Sequence, residues 1–204
     1  MSRPRAPRTG SPNERRESLV AAGLSLIGEV ALEEVDALAV ARRAGVSKAL
    51  VYYYFPTHRD LQVAVVQAAA DGLLRAIDTD PQMAAADRLA AALDAGIAYI
   101  EAQPQAYRAL SRGAAFSPQL MEVFEYARSG VVDALARGMG IADPSPAQRL
   151  CLRSWLALVE EAVLHWIVTG APVSRAELVA YCRDVALYIV ANPLAAPVAA
   201  AAAH

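Results

Sequence analysis

The stretch AGVSKALVYYYF, Ala44 to Phe55, holds Lys48, the single lysine of the chain, and three of its eight tyrosines. Its punctuation reads as two short helices. Asp36 suits the N-cap of a helix over 37–44, because a carboxylate accepts from the free N–H groups of a first turn. Gly45 ends that helix by taking the left-handed conformation other residues avoid. Ser47 caps a second helix over 48–54, and Phe55-Pro56 stops it. Two short helices joined by a tight glycine turn form the helix-turn-helix pattern. At about 100° per residue with Val51 turned inward, Ser47, Tyr54 and Phe55 fall near the buried side. Ala49, Leu50, Tyr52 and Tyr53 fall on the outward arc, with Lys48 at its edge. Such a face has a chemical use. Phenols and an ammonium suit phosphate oxygens and base edges, and a small alanine between them permits close approach to a groove. The amino end of the helix adds backbone donors and positive dipole. The competing reading is a packed corner whose tyrosines cover neighbouring helices.

The chain of 204 residues fits one large domain or two small ones. It is 56% apolar but only 6% aromatic, and its alanine and leucine content favours helix over sheet. The net charge is −2, so the chain as a whole has no basic signature. Residues 1–60 nevertheless carry nine Lys/Arg against seven Asp/Glu, and the remainder ten against fourteen. The asymmetry is mild and places any nucleic-acid contact early in the chain. Eighteen arginines against one lysine fit the codon usage of a GC-rich bacterial genome. Cys151 and Cys182 lie in apolar helical patterns and read as buried reduced thiols. No Cys/His cluster suggests a metal, and the Arg-rich start is no signal peptide. No apolar run is long enough for a membrane span, so a soluble, cytoplasmic chain is expected.

Outward from the opening stretch, the capping pattern continues. Ser11-Pro12-Asn13-Glu14 opens a helix over about 12–29. Thr57-His58-Arg59-Asp60 opens a long helix to about 77. Further helices are expected over about 84–102, 104–112 and 118–137. Ser145-Pro146-Ala147-Gln148 opens one to about 169, ended by Gly170. Ser174-Arg175-Ala176-Glu177 opens the last, to about 191, before Asn192-Pro193. No strand pattern of useful length and no internal repeat appears. Residues 1–11 read as a disordered arm and 193–204 as a flexible alanine-rich tail.

VARRAGVSKALVYYYFPTHRDL, residues 40–61, closely resembles the DNA-binding helix-turn-helix of the TetR family of bacterial transcriptional regulators. Val40-Ala41, Ala44-Gly45-Val46-Ser47, Val51-Tyr52, Tyr54-Phe55, Thr57 and Leu61 carry the resemblance. The preceding helix from Leu19 to Ile27 fits it too. The resemblance implies an all-α chain of about nine helices. A three-helix DNA-binding domain (12–56) would precede a helical bundle (57–192) for ligand binding and dimerisation. It also implies a regulator without cofactor, most simply a homodimeric repressor on a palindromic double-stranded DNA operator, released by a small hydrophobic effector. DNA-contact candidates are Arg42, Arg43, Ser47, Lys48, Ala49, Tyr52, Tyr53, Tyr54, Thr57 and His58. Lys48 would reach guanine O6/N7, and Tyr52 a thymine methyl or a phosphate. Arg3, Arg5 and Arg8 are candidates for a minor-groove arm. Two positions depart from the family pattern. His58 stands where a phosphate-supporting lysine is usual, with Arg59 the natural substitute. Ala37 lacks the hydroxyl common at the start of the second helix, and Leu38 and Ala39 offer no polar group to a base. These departures leave room for an alternative, a helical small-molecule-binding protein with weakened or lost DNA recognition.

In the second half, Tyr99, Tyr107, Arg112, Phe116, Phe124, Arg128, Trp155 and Glu160 are the candidates for lining an apolar effector site with a few polar groups. Leu152, Leu156, Val159, Val163, Trp166 and Ile167 recur at helical spacing, as do Leu178, Cys182, Val185 and Ile189. Periodicity says that these two helices pack; the resemblance adds a four-helix dimer interface across a two-fold axis. Glu161 and His165 stand four apart and read as a helix-surface pair in preference to metal ligands. No nucleophile elbow, phosphate loop or paired acid/base constellation suggests an enzyme.

Overall fold

A computed structural model of the chain describes residues 11–105, 107 and 117–191. Arg3, Arg5, Arg8, Arg112, Phe116, the tail and most of the helix expected at 104–112 lie outside the described residues. Eight α-helices and no strand occur among those described: α1 (Pro12–Ile27), α2 (Ala37–Ala44), α3 (Lys48–Tyr54), α4 (His58–Ala76), α5 (Ala85–Ala102), α6 (Pro118–Gly138), α7 (Pro146–Thr169) and α8 (Arg175–Ala191).

The helix ends follow their capping chemistry. Ser11 and Glu14 form a reciprocal capping box on α1, and Ser145 and Gln148 form another on α7. Asp36 accepts from the N–H groups of Leu38 and Ala39 at 2.8 and 2.7 Å, which fixes the start of α2. Gly45 ends α2 at φ 67°, in the left-handed region where a Cβ is costly. Gly170 ends α7 in the same way. Thr57 with Asp60, and Ser174 with Glu177, close the boxes expected at the next two starts. One element escapes the sequence reading, a 3-10 turn over Leu32–Glu34 that buries Leu32.

The described residues divide into two compact units. One takes those of Met1–Ala69 with Gln105–Val123, the other those of Ala70–Pro104 with Phe124–His204. The division falls inside α4. The first half of α4 packs into the first unit, where Leu61 and Val65 are fully buried. Gly23 on α1 permits that approach, since any Cβ there would run into Val65. In the first unit α2 packs on both α1 and α3, around Leu19, Val40, Val51 and Phe55. In the second unit α8 lies along α5 and α7. There Trp155 donates from its indole N–H to the Cys182 carbonyl at 2.9 Å, so the largest buried side chain of α7 is also polar-satisfied.

Candidate nucleic-acid interface

The outward face of α3 follows its periodicity at Lys48, Ala49, Tyr52 and Tyr53, whereas Ser47, placed near the buried side, is exposed and Leu50, placed outward, is half-buried. Val51 and Phe55 are 0% and 2% exposed and root the helix in the first unit. Arg16 of α1 lies over the Phe55 ring, 5.1 Å from its centroid, and closes the edge of that core. Lys48, Ala49, Tyr52 and Tyr53 are exposed, Tyr53 by 77%. Tyr54 is half-buried and meets Tyr53 edge-to-face, with ring centroids 5.1 Å apart. Lys48 holds its Nζ 5.5 Å from the centroid of the Tyr52 ring, a cation–π distance. Ser47 caps α3 by accepting from Leu50 N–H at 3.2 Å, and its own hydroxyl proton remains available.

The other candidates differ in how free they are. Arg42 is exposed and forms no ion pair among the described residues. Arg43 is held by the end of α1 and the residues just after it: its two Nη groups donate to Glu29 at 3.0 and 2.5 Å, and one also to Ser25 at 2.9 Å. The Arg43 guanidinium beside Glu29 holds that carboxyl below its ordinary value. Thr57 shares its hydroxyl with Asp60. His58 directs Nε2 at the Val35 carbonyl, 3.0 Å away, so this nitrogen carries the proton and donates. One turn on, buried Gln62 donates to the Leu32 carbonyl at 2.9 Å. His58 and Gln62 together tie α4 to the turn between α1 and α2. The His58 side chain is thus occupied structurally, whereas Arg59 beside it is exposed. The sequence shows that a lysine is missing at position 58; the tie to a carbonyl 23 residues away is a long-range contact that no spacing reveals.

Two matches decide the family. Residues 19–65 match the family model described as "Bacterial regulatory proteins, tetR family". Residues 85–188 match that described as "Tetracyclin repressor-like, C-terminal domain".

The chain belongs to the TetR family.

It is thus a DNA-binding transcriptional regulator with an amino-terminal helix-turn-helix and a carboxyl-terminal helical domain, and TetR-family regulators are not enzymes. Among curated relatives, the transcriptional regulator BetI of Serratia proteamaculans is 24% identical over 185 residues, covering 87% of this chain and 93% of that one. BetI of Escherichia coli is 33% identical over 92 residues, 43% of this chain and 47% of that relative's own length. A tetR-family regulator from Streptomyces coelicolor superposes with a TM-score of 0.79 at 27% identity, covering 89% of this chain and 83% of that one.

In the TetR-type carboxyl-terminal domain, the structure brings together some of the effector-site candidates and separates others. Phe124, Arg128 and Glu160 meet. The Arg128 guanidinium stacks 5.2 Å from the Phe124 centroid, and its Nε lies 3.3 Å from the Glu160 carboxylate. That nitrogen is within ion-pair range but not aligned as a hydrogen-bond donor. Burial pushes the Glu160 carboxyl above its ordinary value, while Arg128 and Arg153 pull it down and Glu125 adds to the rise. Glu125 also binds Arg153 at 2.7 Å and extends the cluster, a partner sequence reading had not singled out. Tyr99 is half-buried. Its phenol is raised by desolvation, opposed by Arg75 and by a hydrogen bond with Gln103. Trp155 is core. Tyr107 is half-buried in the first unit.

The residues expected at a dimer interface are buried or half-buried within the protomer. Leu152, Leu156, Val159, Val163, Leu178 and Cys182 are buried inside the protomer, and Trp166, Ile167, Val185 and Ile189 are half-buried. A periodic apolar stripe packs against the nearest core first, and that core is the chain's own. The opposite faces carry the exposed apolar residues: Leu150 and Val168 on α7, and Tyr181, Leu187 and Tyr188 on α8. Burial raises the Cys182 thiol to about 11. Glu161 and His165 are both exposed, and no group of three potential metal ligands occurs among the described residues. No described helix is long and apolar enough to cross a membrane.

Proposed function

We propose that the protein is a homodimeric repressor that binds a pseudo-palindromic operator through two α3 helices and is released by a small hydrophobic effector. Residues 12–56 form its DNA-reading part, and 57–192 its effector-binding and dimerisation part. The observation that carries this reading is α3 itself. It is anchored by Val51 and Phe55 while presenting Lys48, Ala49, Tyr52 and Tyr53 outward. A seven-residue helix that is rooted by Val51 and by Phe55 at its C-cap, and leaves two tyrosines and an ammonium in solvent, is shaped for a groove. Ser47, Tyr54, Thr57 and Arg42 supply backbone contacts around it. Arg43 and His58 support the fold of the reading head and leave phosphate contact to Arg42 and Arg59.

One helix-turn-helix reads only a few base pairs, so two copies about one DNA turn apart are required. The dimer uses the exposed faces of α7 and α8. Tyr181→Asp with Tyr188→Asp is expected to convert a dimer into a helical monomer in sedimentation velocity; an unchanged sedimentation coefficient would move the interface elsewhere. The effector contacts the Phe124–Arg128–Glu160 cluster and Tyr99, and acts only through its different affinity for the two states of the dimer. One relative, FasR of Mycolicibacterium smegmatis, is described as a transcriptional activator, and transcription of the controlled gene in the presence and absence of the chain separates repression from activation.

Gel shift of the full chain on DNA flanking its own gene, repeated over a range of salt, tests the reading. Affinity should fall steeply as salt rises, in proportion to the phosphates neutralised. The engagement of Arg43 and His58 within the fold, and the apolar start of α2, favour a second reading, a helical binding protein with weakened DNA recognition. Binding that ignores both sequence and salt would establish that one instead.

A further inference from the structure

We infer that the effector is an acid: a small apolar molecule whose carboxylate docks on the in-plane N–H groups of Arg128. This rests on the reading above that the Phe124–Arg128–Glu160 cluster is the effector site, and it names the chemical class that the cluster takes. The Arg128 side chain, on α6, is only 18% exposed, and that of Glu160, on α7, is 20% exposed. A guanidinium so enclosed needs acceptors, because a buried donor without one has lost its water and gained nothing in return. Arg128 lacks them. Its Nε is shut off from solvent and has no hydrogen-bond acceptor among the described residues. The Glu160 carboxylate lies 3.3 Å from that nitrogen, near enough to attract it but out of line with its N–H. Nη1 lies 3.8 Å from Glu125, beyond hydrogen-bonding distance. Glu125 is already engaged, since its other oxygen accepts from Arg153 at 2.7 Å.

The remaining geometry selects the acceptor. Arg128 lies over the Phe124 ring, 5.2 Å from its centroid. A guanidinium over a ring spends its flat face there and keeps its in-plane donors for another group. Two of those donors form a fork that matches the two oxygens of a carboxylate. A hydroxyl or an amide oxygen would take only one. The half-buried Phe124 ring offers apolar surface to the body that carries the acid. An incoming carboxylate competes with Glu160 for Arg128. Burial already disfavours the charged form of Glu160, which makes it the weaker competitor. A cationic effector would have to displace Arg128 from both Glu160 and Phe124.

Calorimetric titration of the full chain tests the class. The probes are butyrate, octanoate, palmitate, benzoate and phenylacetate, each beside the amide and the amine of the same skeleton. At least one acid should bind, and its amide should bind about tenfold more weakly or worse. For that acid, Arg128→Gln should weaken binding at least about tenfold. Arg128→Lys, which keeps the charge and loses the fork, should fall between. Glu160→Gln removes the competing charge and should tighten binding. A merely structural ion pair would not give opposite signs at its two ends, nor separate acid from amide. Arg128→Gln leaves Glu160 buried without a partner, so the double variant Arg128→Gln/Glu160→Gln carries the test should the single one fail to fold. It too should bind the acid at least about tenfold more weakly than wild type. Preference for the amide or the amine, or undiminished binding of the acid by the double variant, overturns the inference. The effector-site reading then still stands if Phe124→Ala weakens whichever probe binds, and falls as well if no variant at these three positions alters its affinity. Binding of no probe at all also overturns the inference.

Discussion

Helix α3 and the α7–α8 pair are both amphipathic, yet their two faces divide labour differently. In α3 the apolar side is small, Val51 and Phe55, and the opposite side is chemically unusual. In α7 and α8 the inner stripe is deeply buried, and the outer face is mixed, with Tyr181, Leu187 and Tyr188 in solvent beside Glu161, His165 and Asp184. The difference teaches what periodicity can reveal. It identifies the side of a helix that packs, and the strongest stripe goes to the protomer's own core. The outward side is readable only where its chemistry is distinctive, as a lysine among tyrosines is and a mixed face is not.

The comparison can be sharpened by removing what holds each region. Trp155→Ala empties the inner face of α7 and removes the indole donor from the Cys182 carbonyl. It should cost about 3–5 kcal/mol of unfolding free energy in urea titration. A loss near zero would mean that the inner stripe is not the core. Lys48→Ala acts on an outer face and should behave oppositely, weakening operator binding by about 1–3 kcal/mol with the melting temperature unchanged. Gly45→Ala sits where both descriptions meet. A Cβ at φ 67° costs roughly 1 kcal/mol in the fold and disturbs the turn that aims α3. Thermal unfolding and anisotropy together should register both effects.

The smallest effect concerns pH. Glu160 has its carboxyl raised above 4.5, first by burial, with Arg128 opposing. Between 4.5 and the raised value the folded chain retains a proton that the unfolded chain has released. Stability from this group is therefore full below 4.5 and declines as pH rises through that window. Glu160→Gln removes the titration. The unfolding free energy of wild type relative to the variant should thus fall as pH climbs from 4.5; a difference flat with pH would show the carboxyl to be unshifted.

Much of the backbone was legible because caps are written in residue identity. Asp36, Gly45, Ser47, Ser145 and Gly170 each do locally what their side chains, or the lack of one, dictate, and α2 and α3 begin and end where those residues place them. The turn at Leu32–Glu34 was not legible. Three residues have no period, and Leu32 is held by Gln62 from 30 residues away. The candidate site was legible where α3 alone determines exposure. It was not where a distant partner intervenes: Glu29 for Arg43, the Val35 carbonyl for His58, Arg128 and Arg153 for the charge of Glu160. Local sequence carries the geometry of one helix, but not which charge another helix brings to it.

Lys48 has one more consequence. As the only lysine, it is also the only side-chain amine in the chain. An acylating reagent therefore has a single side chain to modify, on the face that α3 turns to solvent. The mass added at that one position, with and without duplex present, is a covalent record of whether the groove-facing surface is occupied.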